Sequence, residues 1–422
     1  MSRPSALGAA KYAKIDLVKP RKNTVGNKKP IDLKGKVTDF RYYESVYSPV
    51  ATSILVYTDA GNSIKSELPI TGNEWVNFII EHKEGTLEFT KKRNRMRVNG
   101  VPEVGKESSR EAVMLPLISH YEMRDKKKQI FDTYSNQVVS ESVREIIGKF
   151  LGEKRKDRVH IDKCQNIYDF QGKGKHAIEM ILRLAKKAVP EKGDPGYFFY
   201  ETQRGLNFKS ISVLVSQEPK ATYHFNGMFR AQDDGNDFKI MMQPKFTKDQ
   251  NVMSAINSGT YVSRNVFFNP QNAQYIEKIY KINEQGKIEK TLGKDLDIDE
   301  ELEESITRTN MHVLDVGSLQ TGVSDAVNNS PLEWQAKSTM RYNTLHTQML
   351  EIQVPCNLDL VAGDIIKVEI ENLQSEKCNE GINKHQSGKY LILHLCHSFS
   401  ANESITSLTL VRDTYGLHTG KK

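Results

Sequence analysis

Cysteine is scarce in this chain of 422 residues: there are four, Cys164, Cys356, Cys378 and Cys396, and no two form a C-x-x-C pair. That spacing and scarcity argue against a disulfide framework, so reduced thiols are expected. Long apolar runs are missing as well. The longest clusters, Ala112–Ile118 and Leu391–Leu395, fall well short of the roughly 18 residues that a membrane-crossing helix needs, so no membrane insertion is expected. Before Lys11 the only apolar stretch is Ala6–Ala10, too brief for the core of a secretory signal, which predicts synthesis and folding in a cytoplasm. No repeat with a period of roughly 20 to 50 residues recurs, which argues against a solenoid. G-x-S-x-G, H-E-x-x-H and P-loop strings are absent too, and this lowers the expectation of an enzyme.

What is present is the composition of a soluble globular protein: 38% hydrophobic and 27% charged residues, with a mean hydropathy of −0.56. At about 150 residues per domain the length suggests three domains, or two with a large insertion. The net charge of +7 is concentrated at one end. Residues 1–36 hold ten Lys or Arg against Asp16 and Asp32, a net of +8, so the remaining 386 residues sum to −1. The basic residues therefore form an arm, expected to stay flexible until it meets an acidic partner.

Patterning then divides the chain. Val50, Thr52, Ile54 and Val56 alternate with Ala51, Ser53, Leu55 and Tyr57, a strand that Asp59-Ala60-Gly61-Asn62 should end. Leu87–Phe89 and Met96–Val98 should follow as strands flanking the basic run Lys91–Arg95, with Asn99-Gly100 as a turn. From about 124 to 208 the period becomes helical. Val143, Ile146, Ile147, Phe150 and Leu151 predict an amphipathic helix with Ser140 as N-cap and Gly152 as stop, and Lys175–Val189 predicts a second. Tyr197–Tyr200 and Leu206–Phe208 should pair through Gly205. Strands return at Ile366, Val368 and Ile370, and at Tyr390–Leu395 with Ser407–Val411. Residues 263–343 are less regular and include Asp295–Glu304, seven acids in ten, while Pro331–Met349 could form a helix leading back to the sheet. The predicted class is α+β, mainly β.

Candidate chemistry is thin. Gly172-Lys173-Gly174-Lys175-His176-Ala177 fits G-x-G-x-x-A before a helix, but Arg158–Phe170 is too polar for the buried parallel strand such a site requires, and Asp194 sits in a Gly-Pro turn. A loop before a helix is the better reading. His394, Cys396 and His397, with Cys378 and His385 upstream, have zinc-type side chains, yet on a strand His397 must face away from the other two. No catalytic residue, metal or cofactor is therefore expected. Lys91, Lys92, Arg93, Arg95 and Arg97, five basic residues in seven, could grip phosphates; a solvated hairpin tip is the plainer reading.

The order of elements, carried by Leu68–Glu74, Val138–Leu151, Pro195–Glu201 with Gly205–Ile211, Asn357–Val368 and Ser387–Ile392 through to Asp413, resembles the central baseplate hub protein of contractile-tailed, T-even-like phages, related to the hub part of type VI secretion spikes. The resemblance implies two similar antiparallel β-barrel tube domains, at 37–123 and at 209–262 with 344–416. They would be separated by an α+β module at 124–208 and carry an insertion at 263–343, after a basic flexible arm at 1–36. It implies a virion structural protein assembled in the host cytoplasm: a homotrimeric ring that adapts a hexameric tail tube, or a tube initiator, to a trimeric central spike. Tape-measure protein and DNA would pass through its channel. Residues expected to meet partners are Arg3, Lys11, Lys14, Lys19, Arg21, Lys22, Lys28 and Lys29 of the arm, and Lys91, Lys92, Arg93 and Arg95 of the hairpin. Alternatives are a hub-associated cell-wall hydrolase and a DNA-binding protein using the arm.

Overall fold

A computed structural model describes residues 10–19, 30–60, 64, 70–72, 74–83, 85–90, 94–100, 103–107, 110–225, 239–249, 251–282, 284, 288–293, 301–302, 306–320, 331–371, 382–400 and 402–414. The first part holds β1 (Lys11–Val18), β2 (Ile31–Asp32), β3 (Val37–Ser45), β4 (Thr52–Ala60), β5 (Trp75–His82), β6 (Gly85–Phe89), β7 (Met96–Val98), β8 (Glu103–Glu107) and β9 (Arg110–Ser119). Alternation decides which side is buried. On β4 it is the Ser53, Leu55 and Tyr57 set that points inward, meeting Val76, Phe78 and Ile80 of β5 and Val113, Leu115 and Leu117 of β9. Phe40 packs against Phe78 with ring centroids 4.6 Å apart.

The arm is not free throughout, which corrects the expectation of a flexible 1–36. Lys11–Val18 is β1, paired antiparallel with β5 from Lys11↔Glu81 to Val18↔Trp75, with Ile15 and Leu17 fully buried. Each such side chain contributes roughly 1.5–3 kcal/mol by leaving water, and the pairing with β5 satisfies the backbone of the strand.

The middle part holds α1 (His120–Asp125), β10 (Gln129–Ile130), β11 (Thr133–Tyr134), α2 (Val139–Ile146), β12 (Val159–Ile161), β13 (Phe170–Gln171), β14 (Lys175–His176), α3 (Ala177–Ala185), β15 (Tyr197–Thr202), β16 (Gly205–Ser210) and α4 (Ile211–Val215). α2 runs on through a π-helical turn, Ile147–Leu151, and stops at Gly152, whose φ of +69° is the left-handed conformation that glycine adopts without strain. Its N-cap is Val138 rather than the predicted Ser140. Ser140 lies one residue inside the helix, where its hydroxyl accepts the Cys164 N–H. The predicted second helix starts later and ends earlier than its periodicity suggested, because Lys175 and His176 pair with β10 first. The apolar stripes of α2 and α3 pack together with Tyr197, Leu206 and Phe208 behind them. β12 pairs parallel with β16, so this polar stretch does supply a short parallel strand.

The last part holds β17 (Thr222–Phe225), β18 (Lys245–Lys248), α5 (Val252–Asn257), β19 (Val262–Asn269), β20 (Gln274–Lys281), β21 (Thr309–Val313), α6 (Pro331–Thr344), β22 (Gln348–Pro355), β23 (Ile365–Ile370), β24 (Gly388–Ser400) and β25 (Ser404–Arg412). The region expected to be irregular contains a three-stranded sheet, β20-β19-β21, and the helix from Pro331 ends at Thr344 because Gln348 already belongs to β22. β24 has thirteen residues, enough to serve two neighbours along one edge: Gly388–Leu391 pairs with β23 and His394–Ser400 pairs with β3. This joins the first and last parts in one 15-stranded sheet. Within the last part the hydrogen bonds run β22-β25-β24-β23-β17 and then return: Ile240 N donates to His224 O and Met241 N to Gln353 O of β22. Tyr223, Leu350, Ile366, Val368, Tyr390, Ile392 and Leu410 fill the interior so enclosed. The architecture is mostly β, with large antiparallel sheets and few helices.

Candidate interaction surfaces

Where the three parts meet, an apolar cluster that includes Val46, Phe198, Ile211, Leu391 and Val411 is accompanied by two buried carboxylates. Glu44 ends β3 and faces inward because the alternation that buries Phe40 and Tyr42 buries it too. It accepts the Tyr42 phenol at 3.0 Å, the backbone N–H of Gln203 from the β15–β16 turn, and the N–H of Ala362 at 2.9 Å from the loop before β23. Glu201 of β15 accepts the Ala51 N–H at 3.0 Å and the Ser119 hydroxyl at 2.8 Å. Both carboxyls are pushed up to about 7, chiefly by burial, with the donors pulling the other way. Neither carboxylate has an ion-pair partner within 4 Å among the described residues, so their oxygens are satisfied by backbone and hydroxyl donors.

The basic residues singled out in the sequence separate in space. Lys11 pairs with Glu81 at 2.9 Å, both exposed, and Lys14 with Asp16 at 3.2 Å, so these two cations are answered by acids of their own sheet. Lys19 follows β1 directly. Arg3, Arg21, Lys22, Lys28, Lys29, Lys91, Lys92 and Arg93 lie outside the described residues. Arg95 stacks its guanidinium 3.6 Å from the centroid of the Trp75 ring, and Arg97 stands 4.9 Å from it. Lys11, beside Glu81, stands at the far end of the β1–β5 pairing from Trp75, whereas Val18, just before Lys19, is the register partner of Trp75, so the end of β1 runs beside the hairpin residues.

Sequence reasoning missed the partners that the hairpin does have. Arg97 Nε donates to His120 Nδ1 at 3.4 Å at the start of α1, and that helix and the turn after it bring up Arg124 and Lys127. Burial first, then the charges of Arg124, Arg97, Arg95 and Lys127, push the His120 imidazole down to about 3, so it is neutral and accepts from Arg97. Arg95 is itself lowered to about 10, by burial and then by Arg97. The available signal was the run Arg124-Asp125-Lys126-Lys127-Lys128, which nothing local connects to residue 95. The cluster suits a multivalent anionic partner, which would relieve repulsion among its own cations.

The enzyme-like strings take structural places. On β24, His394 and Cys396 share the outer face, while His397 is buried on the other side with Nδ1 2.9 Å from Thr406 Oγ1. Among the described residues no three His, Cys, Asp or Glu side chains gather as a metal site would require. Gly172 adjoins the short β13 and lies against Ile130, whose carbonyl oxygen a Cβ there would meet at 2.4 Å, so close backbone packing explains this glycine. Asp194 is fully buried, 2.8 Å from Lys337 Nζ.

No protein-family model matches the sequence, and no curated protein matches it. Among solved structures, a tail protein from Neisseria meningitidis MC58 aligns over 94% of this chain and 96% of its own length, with a TM-score of 0.56 and 10% identity. The 43 kDa tail protein of prophage MuSo2 from Shewanella oneidensis aligns over 95% and 98%, with a TM-score of 0.55 and 11% identity. A type VI secretion system component of E. coli aligns over 91% and 76%, with a TM-score of 0.41 and 14% identity. The two tail proteins match nearly end to end in both directions, and this chain shares their fold.

Proposed function

We propose that this chain is the structural hub of a phage tail baseplate, a homotrimeric ring that adapts a sixfold tail tube or tube initiator to a threefold central spike. Its channel passes the tape-measure protein and DNA. The observation that carries this reading is the match to two tail proteins across almost the whole of each chain. Two further features support it. The strand path of the last part returns to β22, as a tube wall made of barrels requires, and β24 joins that part edge to edge with β3 of the first. Two barrel domains per chain, at 37–123 and at 209–262 with 344–416, would let three chains present six quasi-equivalent contacts, the economical route from threefold to sixfold symmetry.

In this reading the virion is the protein's location, and assembly takes place in the host cytoplasm. The cationic cluster around Trp75 is a partner contact in this reading, as are Lys91, Lys92 and Arg93 of the same basic run, and the arm residues Arg3, Lys11, Lys14, Lys19, Arg21, Lys22, Lys28 and Lys29 contribute a second. Light scattering on the purified chain tests the proposal. A mass of three chains, alone or on adding the spike, is expected; one chain at high concentration with no partner-induced trimer would overturn it.

A further inference from the structure

We propose that the cleft between β16 and the loop preceding β23 binds an oxyanion, a phosphate or carboxylate group. The cleft encloses about 270 Å³ on the face of the β15–β16 hairpin opposite to the core of α2 and α3. Its lining includes three cations, Arg204, Lys209 and Lys220, against the single carboxylate of Asp364. Asp364 is engaged by Arg204 Nη1, which stands 3.3 Å from both of its oxygens, and by the Val361 N–H. Asp162, whose charge Lys209 also feels, accepts the Ser210 N–H at 2.9 Å. Lys209 and Lys220 make no ion pair within 4 Å with any described residue.

The second observation is a phenol. Tyr200 is 1% exposed, yet its hydroxyl makes no hydrogen bond to any described residue, and it lines this cleft. Its ring is enclosed and only the oxygen opens onto the cleft, where the hydroxyl can donate to an anion held there. Gly363 keeps the approach open. Its φ is +88°, and a Cβ there would stand 2.2 Å from the Tyr200 hydroxyl, filling the space in front of it. A donor phenol, two uncommitted ammonium groups and a guanidinium around a small cleft match the oxygens of one phosphate or carboxylate, with the charge-assisted bonds that such groups form.

The test is a thermal-shift titration of the full chain with sodium phosphate, and in parallel with sodium acetate, at ionic strength held constant with sodium chloride. A saturable rise in Tm is expected with at least one of them, and which one responds assigns the ligand's head group. Lys209→Ala/Lys220→Ala should abolish the rise while keeping the melting temperature in chloride close to that of the parent, since neither side chain is buried. Tyr200→Phe removes only the hydroxyl and should weaken binding about tenfold, the loss of one charge-assisted hydrogen bond. No saturable response to either salt, an equal response in the double variant, which would mark an adventitious ion only, or undiminished affinity in Tyr200→Phe would each overturn the assignment.

Discussion

Replacing Glu44 by glutamine should make this protein's stability less dependent on pH. An ordinary glutamate titrates near 4.5, whereas Glu44 in the folded chain is held at about 7 by burial. A carboxyl whose folded value is raised binds its proton more tightly when folded, so its contribution to stability is full below about 4.5 and is lost as pH rises through 7. Between pH 5 and pH 8 the difference amounts to about 2 to 3 kcal/mol. The amide that replaces the carboxyl does not titrate, but its nitrogen cannot accept, so one of the backbone N–H groups of Gln203 and Ala362 would lose its acceptor, at a cost of roughly 1–3 kcal/mol at every pH. Glu44→Gln should therefore be less stable than the parent by about 2 kcal/mol at pH 5, and the gap should close toward zero at pH 8. Urea unfolding followed by tryptophan fluorescence at pH 5, 6, 7 and 8 measures this directly. Glu201 is present in both proteins, so its own titration cancels to first order. A gap that stays constant across that range would refute the reasoning, because Glu44 would then titrate like an exposed glutamate.

Other substitutions probe other parts of the scaffold. Arg341 and Asp413 pair at 2.7 Å with both side chains fully buried, so Arg341→Met leaves a buried charge unanswered and should lower stability by about 3–5 kcal/mol in the same unfolding assay. Gly205→Ala puts a Cβ 2.2 Å from the Arg158 carbonyl oxygen at a φ of +136°, so a fall in melting temperature of several degrees or an insoluble chain is expected. Lys11→Ala removes only an exposed pair with Glu81 and should change stability by less than about 0.5 kcal/mol. By contrast, Ile15→Ala, four residues along the same strand, should cost about 2–5 kcal/mol, because its side chain is fully buried. Equal effects for those two would mean that β1 does not pack as described.

Much of the strand content was legible because the relevant physics is local. The alternation at 50–57 is β4, Leu87–Phe89 lies in β6, Met96–Val98 is β7, and the bulky pair joined through Gly205 is the β15–β16 hairpin. β1 was hidden by its charge: Lys11, Lys14 and Asp16 drew attention away from Ile15 and Leu17, which alternate with them on the opposite face. The N-cap was misplaced by two residues because Ser140 has the right side chain but a tertiary contact with Cys164 takes its hydroxyl. The cationic cluster was half visible. Its hairpin residues form one run, but Arg124 and Lys127 reach it only through the packing of α1 on β7 and β9.

By itself the sequence determined the strands β4, β6, β7, β15 and β16 and the stop of α2 at Gly152, since a period of two and a positive φ are properties of neighbouring residues. Only the tertiary structure decided that β24 splits one edge between β23 and β3, that Glu44 accepts from a backbone N–H 318 positions away, and that an unpartnered phenol faces three cations in one cleft. Those outcomes depend on which edges and charges come together when separate sheets bury their apolar faces, and no local pattern of residues encodes that meeting.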